Sequence, residues 1–295
     1  MDIVVFGAGS LGSLLGGLLA REHDVTLVGR DPHVTAIERD GLTITGAIDE
    51  TVFPAASTTV PDRTDLAVVT VKSYDTEGAA TTLQGCDCDV ALSLQNGMGN
   101  EERLADHLRC PILAGTATYG ALLESPGRVR CTGVGTIALG PREGGTSVES
   151  ERVGRAFTES GIETTVASDM PRRLWKKLAI NAGINATTAL ARVENGALVD
   201  GPAAETAREA ARETARVARQ QGADLSDAQA ADAVESVART TAENTSSMHQ
   251  DVLAERRTEV DAINGYVVDT AQTAVPVNET LVALLRAWEN ARDLR

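Results

Sequence analysis

Short apolar segments alternate with helix-like patterns along the first half of the chain. The segments are rich in valine, leucine and isoleucine and are bounded by turn residues, which predicts buried strands. Four of them cover residues 25–28, 66–71, 90–94 and 112–116. Because residues 11–21 and later stretches between strands have helical spacing, we predict a parallel sheet with helical crossovers. Residues 42–44, 128–130 and 136–139 would add antiparallel strands near its far edge.

Beyond about residue 165 the strand signals largely vanish. Alanine, glutamate and arginine recur at helical spacing, and the expected helices cover residues 203–221, 228–243, 248–256 and 279–291. We therefore predict the α/β class, with a doubly wound parallel sheet followed by an all-helical C-terminal domain. The boundary falls near residues 166–170 and gives one domain over residues 1–167 and another over residues 168–295.

The charge of the chain excludes some classes of partner. Aspartate and glutamate number 42 against 27 lysines and arginines, which gives a net charge of −15, and aromatic residues make up 3%. We expect no nucleic-acid partner, because an acidic chain repels phosphate backbones and few rings are available to stack on bases. Only Lys72, Lys176 and Lys177 are lysines. An acidic, lysine-poor surface suits a protein that stays dissolved at high salt, so we hypothesise a halophilic source.

Cysteine spacing and hydropathy exclude further classes. Cys86, Cys88, Cys110 and Cys131 form no Cys-x-x-Cys pair and have no histidine at zinc-finger spacing, so we predict reduced thiols and no metal site. The strand-like run at residues 2–6 leaves no room for a signal peptide, and no stretch approaches the ~20 apolar residues of a membrane helix. We expect a cytoplasmic protein without a membrane partner.

A glycine motif stands at the first predicted strand-to-helix turn. Residues 7–12 read GAGSLG and fit Gly-x-Gly-x-x-Gly, directly after a strand and at the start of a helix. In this motif Gly7 makes a tight turn, Gly9 lets the backbone approach a pyrophosphate, and Gly12 packs the helix on the sheet. The free N–H groups at the helix start bind the diphosphate. The predicted dinucleotide site consists of Gly7, Ala8, Gly9, Ser10, Leu11 and Gly12.

The next strands contribute to the same sheet edge. The second strand ends at Arg30, which could pair with a 2′-phosphate, whereas NAD-specific sheets usually place an acid there. NADP is therefore favoured, although Asp31 follows directly and keeps NAD open. Lys72 and Asn96 follow two further strands whose carboxyl ends share this edge, and we predict that both line the cofactor site. The alternative for Lys72 is an ordinary solvated base.

One predicted helix carries polar side chains in an apolar setting. Lys177, Asn181 and Asn185 recur every four residues and line one helix face over about 12 Å, at ~1.5 Å per residue. Asparagine amides without partners on a buried face would cost about a few kcal/mol each. The row predicts a polar ligand, with hydrogen bonds between helices as the alternative.

A second polar cluster runs from Asn244 through Ser246 and Ser247 to Glu259. Ser246 or Ser247 could cap a helix, but capping accounts for one hydroxyl and not for the whole cluster. We interpret the rest as ligand-binding side chains. His249 has no evident partner in the sequence, and we interpret it as a surface or packing histidine.

Together these motifs resemble the 2-dehydropantoate 2-reductase (ketopantoate reductase) family over almost the whole chain. The resemblance rests on six segments in order: GAGSLG at 7–12, VKSYDT at 71–76, LQNGMGNEERL at 94–104, the stretch at 126–135, WKKLAINAGINATTAL at 175–190 and SSMHQDVLAERRTEVDAING at 246–265. It implies a Rossmann domain followed by a helical domain, with the active site in the cleft between them. It also implies reduction of 2-dehydropantoate to (R)-pantoate with NADPH, on the route to pantothenate and coenzyme A.

The resemblance also implies roles for individual residues. Lys177 matches the catalytic lysine of the family, and Glu259 matches a glutamate of its substrate site. We predict Lys177 and Glu259 as catalytic residues, on the hypothesis that the lysine donates a proton to the developing alkoxide and the glutamate binds substrate or orients the lysine. The implied substrate-binding residues are Asn181, Asn185, Asn244 and Ser247. Lys72 and Asn96 match residues of the cofactor cleft.

Two alternatives to this function remain open at the level of sequence. One is an NADPH-dependent reductase of another 2-keto acid, because the sequence does not show the volume of the pocket. The other is a non-catalytic NADPH-binding sensor, although a sensor has no need of a proton donor such as Lys177. The helical part could supply the surface for a homodimer.

Overall fold

We describe the fold from a computed structural model that covers residues 1–295. The chain divides into two units. The sheet unit comprises Met1–Gln95 and Asn100–Met170, and the helical unit comprises Asn96–Gly99 and Pro171–Arg295. The division thus falls three residues beyond the boundary at residue 167 that we expected from the sequence, and a short loop of the first half belongs to the helical unit.

Twelve strands lie in the sheet unit. They are β1 (Asp2–Phe6), β2 (Asp24–Val28), β3 (Leu42–Gly46), β4 (Glu50–Val52), β5 (Ala55–Ser57), β6 (Arg63–Val69), β7 (Asp87–Ser93), β8 (Ile112–Ala117), β9 (Gly120–Ser125), β10 (Arg128–Gly133), β11 (Ile137–Pro141) and β12 (Thr164–Val166). Eight of them form the main sheet in the order β12-β11-β8-β7-β6-β1-β2-β5. Its neighbours pair in parallel except β11, which runs antiparallel to β8. The predicted doubly wound parallel sheet is therefore confirmed.

The remaining four strands form a separate sheet, in the order β4-β3-β10-β9. The expectation that residues 42–44 and 128–130 extend the main sheet is therefore wrong. A strand has two hydrogen-bonding edges. Because one edge of β3 pairs with β4 and the other with β10, β3 cannot also pair with a strand of the main sheet. Of the predicted segment 136–139, residues 137–139 do join the main sheet, as part of β11, which runs antiparallel to β8.

Five helices cover the main sheet: α1 (Ser10–Leu19), α2 (His33–Asp40), α3 (Thr76–Leu83), α4 (Asn100–His107) and α5 (Val148–Glu159). Side chains alternate between the two faces of each strand, so both faces of a buried strand need a cover. In β6, Leu66 and Val68 belong to one core cluster with residues of α1, while Ala67 and Val69 belong to another with residues of α3 and α4. The alternation thus explains why helices lie on both faces.

The rest of the chain is helical, as predicted. Its helices are α6 (Met170–Ala191), α7 (Ala197–Asp200), α8 (Ala204–Gln220), α9 (Asp227–Thr240), α10 (Ser247–Leu253), α11 (Tyr266–Thr270) and α12 (Pro276–Asn290). Alanines at helical spacing form the buried stripe of α8, and they pack in one core with apolar residues of α6, α9 and α12. None of the helices combines the length and apolar character that a bilayer crossing requires.

Candidate functional site

The glycine loop of the sheet unit is shaped for close backbone approach. Gly7 has φ +111°, and a Cβ on Gly12 would lie 2.2 Å from the Gly7 carbonyl oxygen and 2.5 Å from Thr70 Oγ1. Only glycine fits these two positions. A Cβ on Gly9 would meet nothing nearer than the Gly7 oxygen at 3.9 Å, so this position is open. Neighbouring atoms leave no space for a side chain at Gly7 or Gly12, whereas the space beside Gly9 is open to a ligand.

The start of α1 is free for an anion. Its N-cap residue, Gly9, supplies no side-chain hydrogen bond, and its first turn contains no acidic residue. The N–H groups of Gly7 and Ala8 donate to the Val28 carbonyl, and that of Gly9 donates to the Gly7 carbonyl. The first intrahelical hydrogen bond runs from the Ser13 N–H to the Gly9 carbonyl at 2.9 Å. Earlier N–H groups of a helix have no intrahelical acceptor, and together with the helix dipole they favour a phosphate. This geometry fits the diphosphate of a dinucleotide.

The other residues of the motif have structural tasks. Ser10 Oγ accepts a hydrogen bond from the Leu123 N–H at 3.0 Å, which ties the helix start to β9. Ala8 is buried, and its Cβ would lie 2.8 Å from a Cβ on Gly29, so the loop packs tightly on the end of β2. Leu11 packs against the core cluster under α1.

Beyond β2, the two residues that bear on dinucleotide choice have different environments. The Arg30 side chain is 91% exposed, and its Nη2 lies 3.8 Å from Asp75 Oδ2. The Asp31 carboxylate instead accepts hydrogen bonds from Thr35 N at 3.2 Å and Thr35 Oγ1 at 2.6 Å, within the first turn of α2. Arg30 therefore presents an exposed positive charge, while the Asp31 carboxylate is hydrogen-bonded to the first turn of α2.

The loop that carries Lys72 is held in place by a buried glutamine. Lys72 is half-buried and precedes a turn of 3₁₀ helix, Ser73–Asp75. Gln95 Nε2 donates to the Val71 carbonyl at 3.1 Å and to Thr76 Oγ1 at 2.7 Å, and so joins the loop after β6 to the end of β7. This bridge keeps the backbone on both sides of Lys72 at the carboxyl edge of the parallel strands.

In the helical unit, α6 carries Lys177, Asn181 and Asn185 as predicted. Lys177 and Asn181 are half-buried and Asn185 is 7% exposed, whereas Lys176 is exposed. Successive helical residues point about 100° apart, so the two adjacent lysines occupy different environments. Only Lys177 shares its face with the two asparagines.

The polar cluster begins at the start of α10. Ser246 is the N-cap, because its Oγ accepts from the His249 N–H at 3.2 Å, and the same hydroxyl lies 2.7 Å from Thr188 Oγ1 on α6. This pair fastens the start of α10 to α6, three residues beyond Asn185. Asn244 and Ser247, on either side of the cap, are exposed. Capping thus accounts for Ser246 and leaves the Ser247 hydroxyl available.

Glu259 and Asn96 are brought together within the helical unit. The Glu259 carboxylate is 4% exposed, and its Oε2 accepts a hydrogen bond from Asn96 Nδ2 at 3.4 Å. Glu259 lies two residues before a turn of π-helix, Asp261–Gly265, and the Met98 N–H donates to the Ala262 carbonyl at 3.0 Å. The loop that contains Asn96 is therefore hydrogen-bonded to the backbone segment that follows Glu259.

Sequence reasoning missed the support behind Glu259. Thr258 donates through its N–H and its hydroxyl to Glu289 Oε1, at 2.7 and 2.6 Å. Glu289, on α12, is fully buried, and its other oxygen accepts from Arg295 at 2.6 Å. The helical period of α12 places Glu289 on its buried face, which was the available signal. His249 is a packing histidine, 6% exposed, with neither ring nitrogen hydrogen-bonded.

The glycine turn at the carboxyl edge of the parallel sheet has the geometry of a dinucleotide site, and a helical unit with a half-buried lysine, amides and a buried carboxylate follows it in the chain. This combination is typical of nicotinamide-dependent oxidoreductases. Two family descriptions match the chain: "Ketopantoate reductase PanE/ApbA" over residues 3–144 and "Ketopantoate reductase PanE/ApbA C terminal" over residues 169–289. The chain belongs to the ketopantoate reductase PanE/ApbA family, and the resemblance found in the sequence is confirmed.

Individual relatives agree with this family. The 2-dehydropantoate 2-reductase of Halobacterium salinarum is 43% identical, over 97% of this chain and 98% of that protein. A PanE/ApbA family ketopantoate reductase from Ralstonia eutropha has a similar structure, with a TM-score of 0.90, 31% identity and coverage of 99% and 100%. The ternary structure of D-mandelate dehydrogenase with NADH and anilino(oxo)acetate is also similar, with a TM-score of 0.93, 25% identity and full coverage of both chains.

Proposed function

We propose that this protein reduces 2-dehydropantoate to (R)-pantoate with NADPH. The observation that carries the proposal is the row of Lys177, Asn181 and Asn185 on α6. The same unit also contains the buried Glu259, whose carboxylate accepts a hydrogen bond from the side-chain amide of Asn96. A 2-keto acid offers a carboxylate and a carbonyl oxygen, which call for an ammonium and hydrogen-bond donors. The full-length relatives named 2-dehydropantoate 2-reductase support this choice of keto acid.

The cofactor is NADPH in this proposal. Gly7, Ala8, Gly9, Ser10, Leu11 and Gly12 would hold its diphosphate at the open start of α1, with Lys72 and Asn96 also in the cofactor site. When bound, the cofactor supplies the hydride. Arg30 supports the 2′-phosphorylated form, because its exposed guanidinium can pair with a phosphate while the Asp31 carboxylate is engaged by Thr35.

Lys177 is the proposed proton donor. Its ammonium would stabilise the negative charge that develops on the keto oxygen and then transfer a proton to that oxygen. Glu259, fixed by Asn96, would accept a hydrogen bond from substrate or orient the Lys177 ammonium. Asn181, Asn185, Asn244 and Ser247 would bind the substrate carboxylate and the distal hydroxyl, because amides and hydroxyls both donate and accept hydrogen bonds.

A second candidate is the reduction of another 2-keto acid. The likeness to D-mandelate dehydrogenase favours it, because that structure contains NADH and anilino(oxo)acetate. An aromatic 2-keto acid with NADH is therefore the specific rival. A non-catalytic NADPH sensor is the remaining alternative from the sequence.

The test is the loss of reduced-nicotinamide absorbance with 2-dehydropantoate, using NADPH and NADH in parallel, in low and in molar salt. The panel includes an unbranched aliphatic 2-keto acid and 2-oxo-2-phenylacetate. We expect kcat/KM to be highest for 2-dehydropantoate with NADPH. A higher value for 2-oxo-2-phenylacetate with NADH would favour the rival reductase, and NADPH binding without turnover of any keto acid would favour the sensor.

Location and assembly belong to the same proposal. We place the enzyme in the cytoplasm, as a homodimer formed through its helical unit, and both points rest on the sequence predictions. Fractionation and light scattering would test them directly.

A further inference from the structure

Three of the four cysteines lie close together at the amino-terminal end of two neighbouring strands. Cys86 precedes β7, Cys88 lies at its start, and Cys110 lies two residues before β8. Because β7 and β8 pair in parallel, with Ala91 opposite Ile112, residues that are 22 positions apart become neighbours. The Sγ atoms of Cys88 and Cys110 are 2.8 Å apart, less than about 1 Å longer than a disulfide bond.

The two thiols differ in chemistry. The hydrogen bond from the Cys88 thiol lowers the pKa of Cys110, and the N–H groups of Cys110 and Ala91 act in the same direction, against the effect of burial. The same hydrogen bond raises the pKa of Cys88. Cys110 is therefore the more acidic thiol of the pair, and the thiolate form is the nucleophile in sulfur chemistry.

Accessibility separates this pair from the other two cysteines. Cys88 and Cys110 are partly exposed, whereas Cys86 is 6% and Cys131 is 1% exposed. Burial raises the pKa of Cys86 to about 11, and the neighbouring carboxylates of Asp87 and Asp62 act in the same direction. A small oxidant in solution can reach the pair, while Cys86 remains protonated.

We propose that Cys88 and Cys110 form a redox-active dithiol site that a hydroperoxide oxidises to a reversible disulfide. The Cys110 thiolate attacks the terminal peroxide oxygen, the O–O bond breaks, and Cys110 becomes a sulfenic acid while water or an alcohol leaves. The Cys88 sulfur then attacks the Cys110 sulfur and loses its proton, and the sulfenic oxygen leaves as water. Two thiols lose two electrons and two protons, and the peroxide gains them. An added dithiol reverses the change by exchange.

The disulfide would close a loop that contains α4. It would link the start of β7 to the turn before β8 and so restrict the unfolded chain over this segment. Oxidation should therefore raise the melting temperature of the protein by a few degrees. The linkage lies at the opposite end of β7 from the Gln95 loop.

The experiment treats the whole protein with hydrogen peroxide, alkylates the remaining thiols and identifies cross-linked tryptic peptides by mass spectrometry. Cleavage at arginine separates residues 73–103, which contain Cys86 and Cys88, from residues 110–128, which begin at Cys110. Cys86→Ser distinguishes the two cysteines of the first peptide, and Cys131→Ser is a matched control outside the cluster. Cys88→Ser leaves Cys110 without its partner, so dimedone should trap a sulfenic acid there.

We expect the wild type, Cys86→Ser and Cys131→Ser to lose two alkylatable thiols, to show the 73–103/110–128 cross-link and to regain both thiols with dithiothreitol. Cys88→Ser and Cys110→Ser should show no cross-link and no oxidative rise in melting temperature. Four alkylatable thiols after peroxide treatment of the wild type would overturn the proposal. So would a cross-link that disappears in Cys86→Ser but persists in Cys88→Ser.

Discussion

At the scale of single residues, two adjacent lysines provide a built-in comparison. Lys177 is half-buried on the face of α6 that carries Asn181 and Asn185, while Lys176 is exposed. If Lys177 donates the proton, Lys177→Ala should lower kcat by ~10² to 10⁴, the usual worth of general acid catalysis. Lys176→Ala should retain near-wild-type kcat. Steady-state rates of NADPH oxidation measure both variants, and near-wild-type turnover by Lys177→Ala would refute the assignment.

Arg30 permits a similar comparison for the cofactor. Its guanidinium is exposed, and a charged hydrogen bond contributes about 1.5–3 kcal/mol, so Arg30→Ala should raise the KM for NADPH roughly tenfold or more. The KM for NADH should change little, because NADH lacks the 2′-phosphate. Arg39→Ala removes another exposed arginine, from α2, and should affect neither value. If Arg30→Ala changed the KM for NADPH and the KM for NADH equally, Arg30 would not contact the 2′-phosphate.

A buried histidine makes stability depend on pH. Burial lowers the pKa of His33 below its ordinary value of 6.5, and His33 Nδ1 accepts a hydrogen bond from the Gly127 N–H at 2.9 Å. Below pH 6.5 the unfolded chain therefore binds a proton more readily than the folded chain. As the pH falls from 6.5 towards the folded-state pKa, this site should reduce the free energy of unfolding.

His33→Asn is the variant that tests this effect. The asparagine oxygen can still accept from Gly127, although the contact of His33 Nε2 with Ser13 Oγ at 2.9 Å is lost. We expect the variant to have a lower free energy of unfolding than wild type at pH 7.5. Between pH 7 and pH 5 its free energy of unfolding should decrease less than that of wild type, as measured by urea denaturation. Parallel pH profiles for wild type and variant would contradict the argument.

At the scale of secondary structure, α12 supports the segment that presents Glu259. Glu289→Ala would leave the buried Thr258 N–H and hydroxyl without their acceptor, and an unsatisfied buried group costs about 1–3 kcal/mol. We expect the variant to lose about 2 kcal/mol of unfolding free energy. Glu289→Gln, whose amide oxygen can still accept from Thr258, should lose less.

Asn290→Ala, at the exposed neighbour of Glu289 on the same helix, is the control for helix propensity. Its free energy of unfolding should lie within ~0.5 kcal/mol of the wild-type value. Urea denaturation gives all three values, and similar losses for Glu289→Ala and Asn290→Ala would mean that the Thr258 contacts contribute nothing to stability.

The same scale shows where sequence reasoning succeeds. The β6 segment is a continuous apolar run and α8 a regular alanine stripe, so local pattern alone predicts a two-sided sheet and a helical unit. Strand pairing is different, because the paired residues of β3 and β10, such as Thr43 and Arg128, are 85 positions apart and nothing local indicates that these strands form a second sheet. The hydrogen bond from the Met98 N–H to the Ala262 carbonyl also joins residues far apart in the sequence. No local pattern therefore predicts that the Asn96 side chain contacts the Glu259 carboxylate.

At the scale of the whole molecule, charge imbalance is the dominant feature. The chain has 42 acidic and 27 basic residues, so 15 negative charges are not balanced by positive ones. Clusters of arginine with glutamate and aspartate lie along α8 and α9, around Arg212, Arg216 and Glu209, but exposed pairs contribute only about 0–1 kcal/mol each. Repulsion among the excess negative charges should therefore outweigh these local attractions at low salt.

Salt should consequently stabilise this protein. The screening length falls from about 10 Å at 0.1 M salt to about 3 Å at 1 M, which removes repulsion between most surface charges. We expect the melting temperature to rise from low to molar KCl, and to rise more than in sucrose of equal osmolality, which promotes burial without screening. Halobacterium salinarum, the source of the 43% identical relative, is a halophile, which fits this hypothesis. Differential scanning calorimetry decides the question, because a melting temperature that stays constant or falls in KCl would show that the acidic surface is not an adaptation to salt.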